Sequence, residues 1–217
     1  MRNIQIAVDG PAGAGKSTIA KLIAKKLGFT YIDTGAMYRA ITLKALRLHI
    51  NLENEDEFSF VKHTTFSFQD GLLFMDGEDV SGEIRKHKVS NNVSLVSSYL
   101  SVRQECVRLQ QSIANEHSVV MDGRDIGYKV LPNANIKFYL TASIDKRAER
   151  RYQEFVEKGI DSDLDILKQK IAERDHFDST RQHSPLRPAD DAILIDTSDL
   201  TIEQVVELMT NKIKEVE

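Results

Sequence analysis

A glycine-rich loop near the start of the chain constrains the fold more than any other feature. The loop is Gly10-Pro11-Ala12-Gly13-Ala14-Gly15-Lys16-Ser17, which fits the pattern G-x-x-x-x-G-K-[ST]. The apolar run at residues 4–8 before it is typical of a buried strand, and residues 16–27 after it show helical periodicity. This order of strand, loop and helix is that of a P-loop, so the sequence predicts an α/β fold.

The composition of this loop predicts that it binds the phosphates of a nucleotide. Its glycines let successive backbone N–H groups point at phosphate oxygens, and the following helix adds its positive N-terminal end. Lys16 can bridge the β- and γ-phosphates, Ser17 can ligate Mg²⁺, and Thr18 can reach a phosphate oxygen. GTP is disfavoured because no N-K-x-D pattern is present. We therefore expect ATP, bound by Gly10, Pro11, Ala12, Gly13, Ala14, Gly15, Lys16, Ser17 and Thr18.

Apolar runs and helical patterns alternate along most of the chain. The predicted strands are residues 4–8, 29–32, 119–121, 136–140 and 193–195. The predicted helices are residues 16–27, 36–48, 100–115, 144–158, 164–177 and 202–216. Such alternation indicates a doubly wound, five-stranded parallel sheet with helices on both faces. A chain of 217 residues fits one such domain with an insertion.

Two segments interrupt or extend this core. In residues 60–92, Asp70-Gly71 and Asp76-Gly77 separate alternating apolar runs, which predicts a small antiparallel β insertion. The insertion either shields the edge of the sheet or contacts a substrate, and we favour the second role. Residues 145–177 predict a helical lid, with a break at Lys158-Gly159 and an N-cap at Asp163. The core then comprises residues 1–59, 93–144 and 178–217.

Composition and charge exclude several classes of protein. Lys and Arg total 29 against 33 Asp and Glu, for a net charge of −4, which argues against a nucleic-acid partner. An apolar run of 18 residues and a secretory pattern are both missing, so we expect no membrane partner and a cytoplasmic location. The single cysteine, Cys106, cannot form an intramolecular disulfide, and we expect it inside a helix. Without an exposed heptad stripe, we expect a monomer.

Charged residues follow two of the predicted strands. Asp122 ends the third strand, where a P-loop protein holds magnesium directly or through water, so Ser17 and Asp122 are the predicted metal ligands. Arg39 follows the second strand and Arg124 the third, at the edge of the sheet where ligands bind in open α/β folds. Six of the 13 arginines lie after residue 145. Because a guanidinium binds phosphate bidentately, these arginines suggest a second, phosphorylated substrate.

Longer motifs resemble the bacterial cytidylate (CMP) kinases, relatives of the adenylate and guanylate kinases. The matching stretches are Val8 to Thr18, T-G-A-M-Y-R within Asp33 to Arg39, D-G-R-D-I-G at Asp122 to Gly127, E-R-D at Glu173 to Asp175 continuing through Asp178 to Arg181, and Pro185-Leu186. The resemblance runs from near residue 2 to near residue 215. It implies the reaction ATP + (d)CMP ⇌ ADP + (d)CDP with Mg²⁺, in pyrimidine nucleotide metabolism.

The resemblance also implies a role for individual residues. Arg39, Arg124 and Arg181 would bind the acceptor phosphate, with Thr34 in the same substrate-binding set. Ser94, Arg103 and Asp125 would bind the cytosine. Arg174 and Asp178 would bind the sugar, and Arg147 and Arg150 would lie near ATP. The implied catalytic set is Lys16, Arg39, Arg124, Arg150 and Arg181.

The chemistry of cytosine agrees with these implied roles. Cytosine offers an amino donor at N4 and acceptors at N3 and O2, so Asp125 would accept from N4 and Arg103 would donate to N3 or O2. Uracil reverses the pattern, and a carboxylate facing its O4 would cost roughly 1–3 kcal/mol. The acceptor oxygen of CMP is already ionised, so the transfer needs no general base.

Two other functions remain open from the sequence. A P-loop kinase of the shikimate or gluconate type would phosphorylate a hydroxyl group, and would need a base but no cytosine-binding residues. A non-catalytic nucleotide-binding module would bind ATP without turnover, and would leave Arg39, Arg124 and Arg181 unexplained.

Overall fold

A computed structural model describes residues 3–69 and 71–215, which are organised as two compact units. The first unit holds residues up to 31 and from 117 onwards, and the second holds residues 32–116. The strands are β1 (Gln5–Asp9), β2 (Thr30–Asp33), β3 (Phe66–Gln69), β4 (Leu72–Met75), β5 (Glu78–Asp79), β6 (Val119–Gly123), β7 (Ile136–Thr141) and β8 (Ile193–Asp196). The α-helices are α1 (Lys16–Leu27), α2 (Thr34–Arg47), α3 (His87–Val96), α4 (Leu100–Glu116), α5 (Ile144–Glu157), α6 (Leu164–Thr180) and α7 (Ile202–Lys214). Val216, at the predicted end of α7, lies outside the described residues.

The five-stranded sheet has the order β2-β6-β1-β7-β8, with β1 at its centre. β1 pairs in parallel with β6 on one side and with β7 on the other, and β7 pairs in parallel with β8. Because later strands add on both sides of β1, the sheet is doubly wound, which confirms the predicted fold class. The carboxyl ends of β1 and β6 lie side by side, with Asp9 opposite Gly123 and Val8 opposite Asp122.

Apolar side chains of the sheet and two helices form the core of the first unit. Val8 and Phe138 of the sheet are buried together with Ile19 of α1 and Met209 of α7. Both helices are amphipathic, and their apolar stripes cover the sheet. This packing fixes the start of α1 at the end of β1, where the glycine-rich loop joins them.

The second unit contains the predicted antiparallel insertion, with fewer strand residues than expected. β4 pairs antiparallel with both β3 and β5. Asp76 and Gly77 have φ values of 53° and 85°, as a tight hairpin turn requires. Asp70, in the other predicted turn, lies outside the described residues. Short 3₁₀ helices cover Glu55–His63 and Glu83–Arg85, and α3 occupies the end of the stretch predicted to be β.

The predicted lid is helical. α5 and α6 pack against each other. Gly159 has φ 66° just after α5, and the Asp163 carboxylate accepts from the Ile166 amide at 2.9 Å to cap α6, both as predicted. α6 continues to Thr180, three residues beyond the predicted end, because the Arg181 amide still donates to the Phe177 carbonyl at 3.1 Å.

Two smaller predictions concern the helices. Cys106 is buried inside α4, as expected. Among residues 3–69 and 71–215, every helix is too short or too polar to cross a lipid bilayer.

Candidate active site

The glycine-rich loop lies at the carboxyl end of β1, where its backbone closely approaches β7. Gly10 has φ 143°, and a Cβ atom at this position would lie 1.9 Å from the backbone oxygen of Leu140. Gly13 and Gly15 have φ values of 79° and 84°. Gly15 is the N-cap of α1 and has no side chain with which to cap the helix. The first amides of α1 therefore keep their capacity to bind an anion.

Lys16 is the buried cation of this loop. The residue is 5% exposed, and its Nζ donates to the backbone oxygen of Pro11 at 2.8 Å. Burial, followed by the positive charge of Arg124, lowers the pKa of Lys16 to about 7, against the opposing effect of Asp122. A bound phosphate would add negative charge beside this ammonium group and favour its charged form.

Ser17, Asp122 and Tyr31 form the part of the site that suits a divalent cation. Oδ2 of Asp122 accepts from the Ser17 hydroxyl at 2.8 Å, and Oδ1 accepts from the Tyr31 hydroxyl at 2.8 Å. Hydroxyl and carboxylate oxygens are the ligands that Mg²⁺ prefers, so these residues fit the ion. Within the described ranges, His, Cys, Asp and Glu side chains form no cluster of three that would hold a metal. Mg²⁺ is commonly held by one or two protein oxygens together with substrate phosphates, and Ser17 and Asp122 are the residues that would hold it here.

A second buried aspartate holds the loop that follows β6. Asp9, the last residue of β1, accepts from the Ile126 amide at 2.8 Å and from the Gly127 amide at 2.7 Å. Burial raises the pKa of Asp9 to about 7, although these two hydrogen bonds and the charge of Lys16 lower it. The loop held in this way contains Arg124 and Asp125.

Three of the predicted acceptor-binding residues form an ion-paired cluster in the first unit. Arg124 donates from Nε to Oδ2 of Asp178 at 3.3 Å, and Nε of Arg174 lies 3.8 Å from the same oxygen. Asp178 is buried on α6. Arg181 follows α6 and donates to the backbone oxygen of Ser184 at 2.7 Å. α6 therefore places the predicted sugar-binding pair beside one of the predicted phosphate-binding arginines.

Arg147 contacts the backbone of the glycine-rich loop. It is 4% exposed and donates to the carbonyl oxygens of Ala12 at 3.2 Å and Ala142 at 2.9 Å. Its guanidinium also pairs with Asp175 of α6 at 2.6 Å. In this arrangement Arg147 stabilises the backbone conformation of the loop at Ala12.

Arg150 reaches the same region through Thr197, the residue that follows β8. It donates to the carbonyl oxygen of Thr197 at 2.5 Å and to its hydroxyl at 3.2 Å. The Thr197 hydroxyl contacts the carbonyl oxygen of Ala14 at 3.2 Å. The two predicted lid arginines are therefore both linked to the glycine-rich loop, Arg147 directly and Arg150 through Thr197.

The second unit carries the remaining predicted substrate residues. Asp33 caps α2 by accepting from the Ala36 amide at 2.9 Å. This cap places Thr34, which is buried, and Arg39, which is half-buried, in the first two turns of the helix.

Ser94 and Arg103 of the second unit meet around Ser97. Arg103 is 3% exposed and donates to the carbonyl oxygen of Ser97 at 2.9 Å. The Ser97 hydroxyl donates to the carbonyl oxygen of Ser94 at 3.1 Å. The guanidinium of Arg103 lies 5.2 Å from the centroid of the Tyr38 ring, which is a cation–π contact. Ser97 thus links Arg103 to the backbone of Ser94, the other predicted cytosine-binding residue of this unit.

Four residues that support the site received no role from the sequence: Asp9, Tyr31, Asp175 and Thr197. Asp9 follows an apolar run in the sequence, which is the same pattern that singled out Asp122, so this pattern could have identified it. Tyr31 and Asp175 show no such pattern, because their partners lie 91 and 28 residues away in the chain.

Two solved structures share the fold at low sequence identity. An uncharacterized protein from Eubacterium ventriosum ATCC 27560 is 15% identical, with a TM-score of 0.52 and 99% of each chain covered. A shikimate kinase from Acinetobacter baumannii, in complex with shikimate, is 15% identical, with a TM-score of 0.50, and the match covers 98% of this chain and 94% of that one. At this identity the likeness concerns the fold alone.

Comparison of the sequence with known families is more specific. The family model described as cytidylate kinase matches residues 6–215. Cytidylate kinases of Bacillus thuringiensis (strain Al Hakam) and Bacillus anthracis (strain A0248) are each 52% identical over 211 residues, covering 95% of this chain and 94% of the relative. These matches confirm the resemblance drawn from the motifs, and the chain belongs to the cytidylate kinase family.

Proposed function

We propose that this chain transfers the γ-phosphoryl group of ATP directly, in line, to CMP and dCMP. The observation that carries this proposal is the grouping of Lys16, Ser17 and Asp122 at the carboxyl edge of the sheet. Arg124, at the same edge, is paired with Asp178 of α6. The site thus offers cations and oxygen ligands for a phosphoryl group in transfer. The family supports a cytidine nucleotide as the acceptor.

On the donor side, the glycine-rich loop binds the β- and γ-phosphates of ATP through its backbone amides. Lys16 neutralises the negative charge that the phosphates bring into a buried site. Arg147 holds the loop backbone at Ala12. Arg150, which is held by Thr197, lies near ATP and contributes positive charge to the transfer. Mg²⁺, with Ser17 and with Asp122 directly or through water, supplies further neutralising charge when it is bound.

On the acceptor side, we assign the residues within each unit. In the first unit, Arg124 and Arg181 bind the acceptor phosphate, Arg174 and Asp178 bind the sugar, and Asp125 accepts from N4 of cytosine. In the second unit, Thr34 and Arg39 bind the phosphate, and Ser94 and Arg103 bind the base. Because the attacking phosphate oxygen is ionised, positioning and electrostatic stabilisation are sufficient for the transfer.

The remaining expectations concern the setting of this reaction. We propose that residues 145–177 close over ATP as a lid, which would exclude water from the phosphoryl group. Residues 60–92 would contribute to acceptor binding, and residues 1–59, 93–144 and 178–217 would form the core. We further propose a monomer acting in the cytoplasm.

An acceptor panel tests the proposed function. ADP formation is measured with CMP, dCMP, UMP, AMP, GMP and shikimate, each with ATP and Mg²⁺, and again with EDTA added. CMP and dCMP are expected to give the highest kcat/KM, and EDTA is expected to abolish turnover. Preference for shikimate would favour the kinase of a hydroxyl substrate, and ATP binding without turnover would favour the non-catalytic module.

Replacement of Asp125 tests the assignment of the base-binding residue. Asp125→Ala is expected to lower kcat/KM for CMP, with a loss of about 2–4 kcal/mol in transition-state stabilisation, and to narrow the CMP-over-UMP ratio, because a charged hydrogen bond to N4 is lost. Asp125→Asn should partly raise kcat/KM for UMP, which Asp125→Ala should not, since an amide presents either a donor or an acceptor. Both ratios are measured by coupled ADP detection.

The control for Asp125 is Asp191→Asn. Asp191 is an exposed aspartate that pairs with Lys137 at 2.9 Å and has no proposed role in acceptor binding. Its substitution should leave the CMP-over-UMP ratio unchanged. If Asp125→Ala and Asp125→Asn also keep the ratio and only lower the melting temperature, Asp125 merely supports its loop.

A further inference from the structure

Asp9 is a buried acid to which the proposed chemistry assigns no role. It is 2% exposed at the carboxyl end of β1, and its two carboxylate oxygens accept separately from consecutive backbone amides. The partners, Ile126 and Gly127, lie 117 and 118 residues further along the chain. Two such bonds offset part of the cost of burying the acid. They also connect the end of β1 to the loop that follows the neighbouring strand, β6.

The loop tied in this way carries two residues proposed to bind the acceptor. Gly123 is the last residue of β6 and is paired with Asp9 in the sheet. Ile126 begins a π-helical turn, and its amide is held by the Asp9 side chain. Arg124 and Asp125 lie between these two anchors, so the same residue of β1 restrains the backbone on both sides of them.

The packing around Gly127 shows how closely the loop approaches the acid. A Cβ atom at Gly127 would lie 3.3 Å from Oδ2 of Asp9 and 3.2 Å from Cδ of Lys137. Only a residue without a side chain brings its amide to 2.7 Å from the carboxylate without displacing these groups. Asp125 itself is 3% exposed, so its packed side chain has little freedom to compensate for a shift of its backbone.

We infer that Asp9 is a positioning residue for acceptor specificity, acting through the backbone of residues 124–127 on the base-binding carboxylate of Asp125. This inference rests on the proposed function. Asp9 itself touches neither the base nor the phosphate in this role. It fixes where Asp125 meets N4 of cytosine, and such placement determines how strongly a site discriminates between bases.

Graded substitution of Asp9 tests the inference. Asp9→Asn keeps the volume but turns an NH₂ group towards one of the two backbone amides, and Asp9→Ala removes both bonds. The CMP-over-UMP ratio in kcat/KM is expected to fall about fivefold for Asp9→Asn and about tenfold for Asp9→Ala. The Kd for ATP should change by a smaller factor than kcat/KM for CMP.

A double-mutant cycle distinguishes positioning from structural support. If Asp9 acts through Asp125, Asp9→Asn should not lower the ratio further in an Asp125→Ala background. Val205→Ala is the stability control, because Val205 is 1% exposed in the core of the same unit and its truncation lowers the melting temperature by leaving a cavity. An Asp9 variant that behaves like Val205→Ala, with a lower melting temperature and an unchanged ratio, would overturn the inference.

Amide exchange gives a readout that does not depend on activity. Hydrogen exchange at Ile126 and Gly127 in the full chain should be faster in Asp9→Asn than in the wild type, and faster than in Val205→Ala. Unchanged protection of both amides would contradict the proposed restraint. If the wild type shows no preference for CMP in the acceptor panel, the proposed function is wrong. Failure of the inference about Asp9 and failure of the proposed function are therefore distinguishable.

Discussion

Replacement of Lys16 by alanine is expected to lower kcat about 10³-fold and leave the chain folded. The loss removes the buried charge that faces the phosphates, and removal of one such preorganised group costs about 10²–10³ in rate. ADP formation at saturating CMP measures kcat, and circular dichroism reports the fold. Lys25→Ala, in the exposed last turn of α1, is the matched control and should retain full turnover. An unchanged kcat in Lys16→Ala would contradict the assignment of the loop.

The difference in stability between the wild type and Lys16→Ala should depend on pH in a defined direction. The pKa of Lys16 is about 7 in the folded chain and near its ordinary value of 10.5 in the unfolded chain. Between these values the unfolded chain binds more protons, so the free energy of unfolding of the wild type rises with pH across this window. The alanine variant lacks this contribution. The wild type should therefore gain in melting temperature relative to Lys16→Ala between pH 7 and pH 9, and thermal unfolding of both proteins at the two pH values measures this gain.

Replacement of Gly10 by alanine is expected to lower the free energy of unfolding by about 4 kcal/mol, with loss of ATP binding. A Cβ atom at Gly10 would lie 1.9 Å from the carbonyl oxygen of Leu140, and φ 143° is strained for a residue with a side chain. For a chain of this length, the melting temperature should fall by about 8–16 °C. Thermal unfolding measures the first effect, and titration calorimetry with ATP measures the second.

Gly28→Ala is the matched control for this strain. Gly28 has φ 69° at the end of α1, and a Cβ atom there meets nothing within 4 Å. Its substitution should lower the free energy of unfolding by only about 1 kcal/mol, because it adds backbone strain at positive φ but no steric clash. Equal losses in the two variants would show that the contact with Leu140 contributes nothing.

Local pattern was sufficient to predict most of the core elements. α1 spans Lys16–Leu27, as predicted, because a glycine stands on each side of a strongly periodic stretch. The strands were also predicted to within two residues, since short apolar runs between turns are typical of a parallel sheet that is buried on both faces.

The pattern was weaker in the second unit. The first part of α3, residues 87–92, falls in the stretch predicted to be β, and it includes Ser90, Asn91 and Asn92, all of which are poor helix formers. In the structure Val89, Val93 and Val96 are buried on one face of α3, and the helix packs against α2. Tertiary burial of that face overrides the local preference.

The amino-acid sequence is sufficient to predict the glycine-rich loop, the doubly wound sheet and the family. These depend on local spacing and on motifs that are continuous in the chain. The supporting side chains are visible only in the folded chain: Asp9 accepts from the amides of residues 126–127, Asp175 pairs with Arg147, and Tyr31 donates to Asp122. Each of these contacts joins residues that are distant in the chain, and their separation in space is set by packing of the core rather than by sequence spacing.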